Sequence, residues 1–315
     1  MQETNCNLCG ANDAEFLYQA KDRYMHLPGS FRLVRCRQCG LIYLNPRPTP
    51  EEIKAYYPED YDPYTYVAPE DERSRIDSLD RGFGYWKRAR VTVKAHPQPG
   101  RLLDVGGATG NFLHAMRQRG PWDVHGLDIS PEATRYARER YGLDMFTGEL
   151  AEAAYPESSF DVVTVWDVLE HVHDPTAVLR EIHRILKPGG LLLIRVPNAD
   201  TWDARLFGEY WVGLDAPRHL YVFTPSTLRG FLEKADFQVT QMRSLLLSYH
   251  PVALSVQFWL EERMADGAAK RALLALNRSR LPRLLTIPLF TLLSYGNHTF
   301  ATTVFATKAG EAQPK

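Results

Sequence analysis

Leu102-Leu103-Asp104-Val105-Gly106-Gly107-Ala108-Thr109-Gly110-Asn111-Phe112-Leu113 is the stretch on which the fold turns. An apolar run ends in an acidic residue, a turn of small residues follows, and an amphipathic helical pattern begins at Asn111. This is the shape of a nucleotide-binding β-turn-α unit in an open α/β sheet. Glycine belongs in the turn because the backbone must bend sharply and approach a ligand that a Cβ would push away. One helix further on stands Asp128, in Val124-His125-Gly126-Leu127-Asp128-Ile129-Ser130. A carboxylate at the end of a second strand accepts hydrogen bonds from both hydroxyls of a ribose. The turn reads Asp-x-Gly-x-x-x-Gly rather than the dinucleotide pattern G-x-G-x-x-G. No pyrophosphate has to be cradled, so the expected ligand is a nucleoside carrying another group.

Outward from this unit, strand and helix alternate. Strands are predicted at Arg101–Val105, Asp123–Asp128, Asp144–Thr147, Phe160–Trp166 and Leu191–Val196. Helical periodicity fills Asn111–Arg119, Pro131–Tyr141 and Thr176–Leu186, which together imply a parallel sheet covered on both faces. Upstream, an amphipathic helix is predicted around Arg75–Ala95, stopped by Pro97 and Pro99. Thr49 followed by Glu52 reads as the cap of a short helix, and residues 59–72, acidic, aromatic and proline-rich, as a loop across the mouth of the site. Phe237–Ser244 and Ala301–Lys308 read as a late antiparallel pair.

All four cysteines fall in one pattern, Cys6-x-x-Cys9 and Cys36-x-x-Cys39, each pair followed by glycine (Gly10, Gly40). Two such knuckles suit a tetrahedral Zn²⁺. Two disulfides or a rubredoxin-like iron are the other readings, and the first is disfavoured in a reducing compartment. Four protein ligands leave no open coordination position, so the expected metal is structural.

These segments resemble a class I S-adenosylmethionine-dependent methyltransferase of the small-molecule type with an N-terminal zinc-binding segment. The resemblance runs through Asp104–Gly110, Asp128, Phe160–Pro175 (FDVVTVWDVLEHVHDP), Leu186–Asn198 (LKPGGLLLIRVPN) and Asp215–Phe223 (DAPRHLYVF). It implies a Rossmann-like doubly wound α/β sheet preceded by a small zinc-ribbon-like module. The implied division is a zinc module over 1–48, a linker and helical cap over 49–98, the cofactor-binding core over 99–249, a helical insertion over 250–298, and a last strand and tail over 299–315. S-adenosylmethionine is then the expected cofactor, contacted by Asp104, Gly106, Gly107, Ala108, Gly110, Asp128, Ile129, Glu149, Leu150, Asp167 and Val168. Ala108 departs from the family, whose middle loop residue is commonly glycine; alanine is expected to fit if the backbone there is right-handed or extended.

Catalysis is assigned on the acceptor side. Methyl transfer is an in-line displacement in which positioning dominates and a proton often leaves the acceptor. Asp167 is expected to border the methyl group, Arg218 to bind an acceptor anion in two-point fashion, and His219 to serve as base. The competing architectural reading pairs Arg218 with Asp215 and gives His219 to a turn. His171 is expected to orient its loop, and His173 to face the mouth or cap a helix.

Net charge is −1 over 315 residues, which gives no overall pull toward nucleic acid. No apolar run approaches the roughly 20 residues that span a bilayer, and Met1-Gln2-Glu3-Thr4 lacks the build of a signal peptide, so a cytoplasmic protein is expected. The expected partner is a small-molecule acceptor such as a sugar or quinone-like intermediate. Residues 270–295, with Arg278, Arg280 and Arg283 beside apolar runs, are read as packing on the core or on a second copy in a homodimer, with peripheral membrane contact as the sharper alternative. Two rival functions stand beside this one: a methyltransferase of RNA or protein that grips its target through Arg32, Arg35, Arg37 and Arg47, and a cofactor-binding subunit without turnover.

Overall fold

The computed structural model describes residues 1–58, 75–245, 249–279, 282, 284–286, 288–289 and 299–309. The segment 59–72 therefore lies outside the described residues, as do Arg280, Arg283 and 290–298. At the N-terminus β1 (Ala14–Ala20), β2 (Phe31–Cys36) and β3 (Ile42–Leu44) form an antiparallel sheet. Between it and the core run a 3-10 turn, Glu52–Tyr56, and helix α1 (Arg75–Ala95). Thr49 and Glu52 do exchange the two hydrogen bonds of a capping box, but the helix they open is 3-10 and short.

The core continues with β4 (Arg101–Val105), α2 (Asn111–Arg117), β5 (Asp123–Asp128), α3 (Pro131–Tyr141), β6 (Asp144–Thr147), β7 (Phe160–Trp166), α4 (Pro175–Ile185) and β8 (Leu186–Pro197). There follow α5 (Trp202–Phe207), β9 (Tyr221–Val222), α6 (Pro225–Lys234), β10 (Phe237–Arg243), α7 (Tyr249–Arg263), α8 (Ala268–Arg278) and β11 (Ala301–Lys308). Seven of these strands make one mixed sheet in the order β10-β11-β8-β7-β4-β5-β6. Five are parallel, while β11 enters antiparallel between β8 and β10. The central parallel strands are buried on both faces, so they read as unbroken apolar runs such as Val162-Val163 and Leu191–Ile194. The chain proceeds from β4 outward through β5 and β6, then returns to β7 on the other side. Ligands of open sheets lie beyond the carboxyl ends of the strands at such a reversal, which here falls between β4 and β7.

Caps set the helices. Ser130 accepts from the Ala133 amide at 3.2 Å, Pro131 follows, and α3 closes on Gly142 at φ 58°. Asp174, rather than His173, caps α4 by accepting from Ala177 at 3.0 Å, and Leu179, Ile182 and Ile185 bury that helix's apolar face. Strand β8 starts at Leu186, five residues before the predicted Leu191, because Phe160 pairs with Leu186 across an irregularity in the ladder.

The cysteine module is built into the core. Its fourth strand is β9, with Ile42 opposite Val222 and Tyr43 opposite Tyr221. Leu33, Leu41 and Leu44 share one apolar cluster with Leu220, Phe223 and Phe231. Arg47 donates to the His173 carbonyl at 2.8 Å and the Tyr221 hydroxyl at 2.6 Å, and His173 donates from Nε2 to the Pro48 carbonyl at 3.0 Å. In the insertion, α7 buries Phe258 and Leu260 and is joined to α8 by the Asn277 amide donating to Ala253 at 2.9 Å. Helix α8 buries none of its residues and leaves Leu273 and Leu276 exposed. Among the described residues no helix is long and apolar enough to cross a membrane.

Candidate active site

The turn after β4 is shaped by close contacts. Gly106 sits at φ 73°, and a Cβ there would lie 2.3 Å from Val168 Cγ2. Gly110 sits at φ 76°, and a Cβ would lie 2.5 Å from Leu143 Cδ1. The Gly106 and Gly107 amides both donate to Leu127 at 2.9 Å, locking the turn to the end of β5. Asp128 is fixed by its neighbours, accepting from the Ala108 amide at Oδ2 and from the Ser130 amide at Oδ1, each at 2.9 Å. Each oxygen keeps a lone pair for a further donor, which suits the two hydroxyls of a ribose. Beside it Ile129 is 59 % exposed, an apolar side chain open to a flat ring. Asp104 is buried and accepts from Thr164 at 2.6 Å; burial pushes its carboxyl up to about 7. After β6, Leu150 is buried and Glu149 exposed, its amide held by the Glu152 carboxylate at 2.7 Å.

Ala108 corrects one expectation. Its φ is 44°, a left-handed backbone, so the alanine occupies the conformation for which glycine is best suited. Left-handed geometry costs an L-residue about 1–2 kcal/mol. Glycine's greater freedom in the unfolded chain offsets part of that, so Ala108→Gly is expected to raise stability by about 0.5–1 kcal/mol. Thermal denaturation would register this as a rise of roughly 2 °C; a fall would mean that the methyl group has packing partners that outweigh the strain.

Asp167, at φ 59° just after β7, is gripped by two arginines. Arg195 of β8 contacts both carboxylate oxygens, and Arg88 of α1 donates to Oδ2 at 3.0 Å while lying over the Trp166 ring. Burial works to raise this carboxyl, but the two guanidiniums outweigh it and hold it below the ordinary range. Neither arginine is anticipated from sequence. Arg195 did carry a signal, a lone cation inside the apolar run of β8, whereas nothing in the helical pattern marks Arg88.

Arg218 is fully buried with all five N–H groups engaged. It donates to both oxygens of Asp22 at 2.6 and 2.9 Å, to both of Asp215 at 2.6 and 3.0 Å, and to the Tyr56 carbonyl at 3.2 Å. The Asp215 pairing is the architectural arrangement weighed above, and the reach to Asp22 in the cysteine module goes beyond it. His219 is buried and donates from Nδ1 to the Gly213 carbonyl at 2.8 Å. Its ring meets that of His171 edge-on with centroids 4.7 Å apart. Burial lowers both imidazoles, His171 to about 3, so both are neutral near pH 7. Glu170 closes the group at 1 % exposure, with neither carboxylate oxygen hydrogen-bonded among the described residues. Glu170 was not singled out from sequence.

A family model described as a methyltransferase domain matches residues 81–242, just over half of the chain. The chain belongs to this family. It is a class I S-adenosylmethionine-dependent methyltransferase. It is 33 % identical over 164 residues to the ubiquinone biosynthesis O-methyltransferase of Xanthomonas oryzae pv. oryzae, a match that covers 48 % of this methyltransferase and 67 % of that protein. It is 33 % identical over 140 residues to the demethylmenaquinone methyltransferase of Deinococcus radiodurans, covering 42 % and 57 %. Among solved structures, a putative sarcosine dimethylglycine methyltransferase from Galdieria sulphuraria superposes with a TM-score of 0.50 at 15 % identity, covering 82 % and 96 % of the two chains. At that identity the likeness concerns the fold.

The cysteine cluster of the methyltransferase lies outside the matched segment. Cys6 and Cys39 sulfurs are 3.4 Å apart, Cys9 and Cys36 3.5 Å, and all four lie within 4.8 Å of one another. Zn–S bonds of about 2.3 Å in a tetrahedron place sulfurs about 3.8 Å apart, so the four thiols fit one zinc ion. Gly10 at φ 81° and Gly40 at φ 77° donate to the Cys6 and Cys36 carbonyls at 2.8 and 2.9 Å, making two matching knuckles. Burial pushes the Cys6 thiol up to about 11 and Cys39 further up. At Cys36 burial is outweighed by hydrogen bonds from the Cys39 and Gln38 amides, which bring its thiol down.

Proposed function

We propose that this methyltransferase transfers the methyl group of S-adenosylmethionine to a small-molecule acceptor, and that its cysteine module holds a structural Zn²⁺. The observation that carries the reading is the cradle after β4: a turn that excludes a Cβ at Gly106, facing an Asp128 carboxylate pinned by the Ala108 and Ser130 amides. Asp104, Gly106, Gly107, Ala108, Gly110, Asp128, Ile129, Glu149, Leu150 and Val168 would line the cofactor, with Asp167 toward its methyl end. In the reaction an acceptor lone pair forms a bond to the methyl carbon. The carbon–sulfur bond breaks with its electron pair going to sulfur, and the acceptor gives up a proton. The acceptor side of the site is assigned to the buried cluster of Glu170, His171 and His219. His219, the base expected from sequence, is one of its members; Arg218 positions the segment that carries it.

A small acceptor is favoured over RNA or protein by the state of the module's arginines. Arg47 is buried against His173 and Tyr221, and Arg37 is paired with Asp13 at 3.4 Å and Glu15 at 3.3 Å. Arg47 is thereby withdrawn from the basic face and Arg37 is partly neutralised, which leaves Arg32 and Arg35 as its exposed cations, a small charge for a nucleic-acid grip. The quinone-pathway relatives named above point the same way.

Titration calorimetry with S-adenosylmethionine and S-adenosylhomocysteine tests the cofactor half. Asp128→Ala removes a charged acceptor of two hydroxyl hydrogen bonds and is expected to weaken binding about 100-fold or more. Absence of binding heat from the unaltered protein would refute the reading. Incubation of cell extract with labelled methyl donor, followed by mass spectrometry, would then identify the compound that gains a methyl group.

A further inference from the structure

The sequence Leu169-Glu170-His171-Val172 and the distant His219 meet in a buried polar cluster with unusual vacancies in its hydrogen bonding. Both Glu170 oxygens lie out of solvent with no donor among the described residues, while its backbone carbonyl is held by the Leu220 amide at 2.8 Å. A carboxylate placed this way is unfavourable unless a proton or a cation meets it. The two imidazoles supply neither. His171 Nδ1 lies 3.1 Å from the Arg218 carbonyl and 2.9 Å from the Tyr57 hydroxyl, and His219 Nδ1 lies 2.8 Å from the Gly213 carbonyl. A carbonyl only accepts, so each ring carries its proton on Nδ1 and presents a bare lone pair at Nε2. Neither Nε2 is hydrogen-bonded among the described residues; the nearest charged group to that of His219 is Asp215, at 4.0 Å. One ligand atom from each of Glu170, His171 and His219 lies within 4.8 Å of the other two.

We propose that Glu170, His171 and His219 bind a divalent transition-metal ion, separate from the cysteine-held zinc. A backbone carbonyl on Nδ1 with Nε2 free is how metal-bound histidines are oriented by their second layer of contacts. Two imidazoles and a carboxylate suit Mn²⁺, Fe²⁺, Co²⁺ or Zn²⁺ better than the all-oxygen surroundings preferred by Mg²⁺ or Ca²⁺. The ion would supply the counter-charge that the buried Glu170 carboxylate needs. Asp167, saturated by Arg195 and Arg88, is left out of the ligand set. Three protein ligands leave coordination positions open. Resting on the methyl-transfer reading, an acceptor hydroxyl bound there would release its proton to solvent and attack the methyl carbon as the metal-held oxyanion.

Mn²⁺ alone is the probe, titrated into the full-length protein and followed by the paramagnetic resonance of free Mn²⁺, with total zinc measured on the same sample. The expected result is two metal ions per chain in sum, one at the cysteines and one lost in both Glu170→Gln and His219→Ala. Turnover should fall about 100-fold when the second ion is removed and return when it is restored. At most one metal ion per chain in the unaltered protein, whichever ion is offered, overturns the site. Cofactor binding heat shows whether the variants are folded; should both fail to fold, the stoichiometry of the unaltered protein decides. Metal bound without methyl transfer to any acceptor would sink the functional reading and leave the site standing. Methyl transfer that persists undiminished after the second ion is removed would overturn the ion's part in the reaction and leave the functional reading standing.

Discussion

Arg218→Met is expected to destabilise the protein by about 3–5 kcal/mol, the cost of removing one partner from a buried ion network. Among the described residues the guanidinium is the sole cationic partner of Asp22, whose carboxylate also accepts from the Tyr24 and Met25 amides at 3.2 and 2.9 Å, and it pairs both oxygens of Asp215. Methionine has comparable volume and fills the space, so the loss comes from stranded charge. In a chain of this size the change should lower Tm by roughly 5–8 °C. The mechanism carries its own control. Arg218→Met combined with Asp22→Asn and Asp215→Asn should recover much of the loss, because a neutral cluster no longer buries unpaired anions. It also fixes the sign of a pH effect. In the unaltered protein burial works to raise Asp215, but Arg218 outweighs it and keeps the carboxyl low, so its stabilisation is present above the unfolded pKa and fades as pH falls through the folded value. In the variant, burial without the cation raises the carboxyl, and protonation relieves it. The stability gap between the two proteins should therefore narrow as pH drops from 7 toward 4. A variant that melts with the unaltered protein at pH 7 would show that Arg218 is dispensable to the fold and would reopen an acceptor-binding role for it.

The contrast between Arg218 and the strands shows what a sequence discloses. Arg101–Val105, Asp123–Asp128, Asp144–Thr147 and Phe160–Trp166 lie where the sequence pattern places them, because the central strands β4 and β7 are buried on both faces and largely apolar, and the helices between the strands carry local caps. The Gly106–Gly110 turn and Asp128 were legible for a related reason: their geometry is set by neighbours in the chain and by one adjacent strand. Legibility fails where a residue's partner is remote. Arg218 meets Asp22 across 196 residues, Arg88 meets Asp167 across 79, and Arg47 meets Tyr221 across 174. Strand β9 spans two residues, too few for any alternation, and exists because β3 offers it an edge. Glu170 illustrates the same limit. Beside His171 it reads as an ordinary loop acid, and only the arrival of His219 from beyond β8 makes its missing hydrogen bonds conspicuous.

Cys36→Ser should have an effect as large as the loss of Arg218, and one that spreads further. Cys36 is the last residue of β2, is buried, and receives the Gly40 amide on its carbonyl at 2.9 Å. Serine is a poor ligand for zinc, so the variant is expected to lose the ion from the cysteine site and, with it, binding energy that in small zinc modules amounts to much of the folding free energy. A freely hinged module would unfold by itself and leave the core's melting unchanged. Here β3 pairs with β9, Leu33, Leu41 and Leu44 pack on Leu220 and Phe223, and Asp22 neutralises Arg218, so unfolding the module exposes core surface and strands a buried cation. One cooperative transition is therefore expected, lowered by about 8 °C, since roughly 5 kcal/mol corresponds to that shift in a chain of this size. A strong chelator acting on the unaltered protein should reproduce it, and calorimetric scans with zinc analysis measure both. Because β9 lies two residues from His219, whose own surroundings depend on Arg218, loss of the ion should also disturb the Glu170–His171–His219 cluster, so Mn²⁺ uptake should weaken together with Tm. Two separate transitions, with only the smaller moved by the substitution, would show that the cysteine module stands apart from the acceptor side of the site.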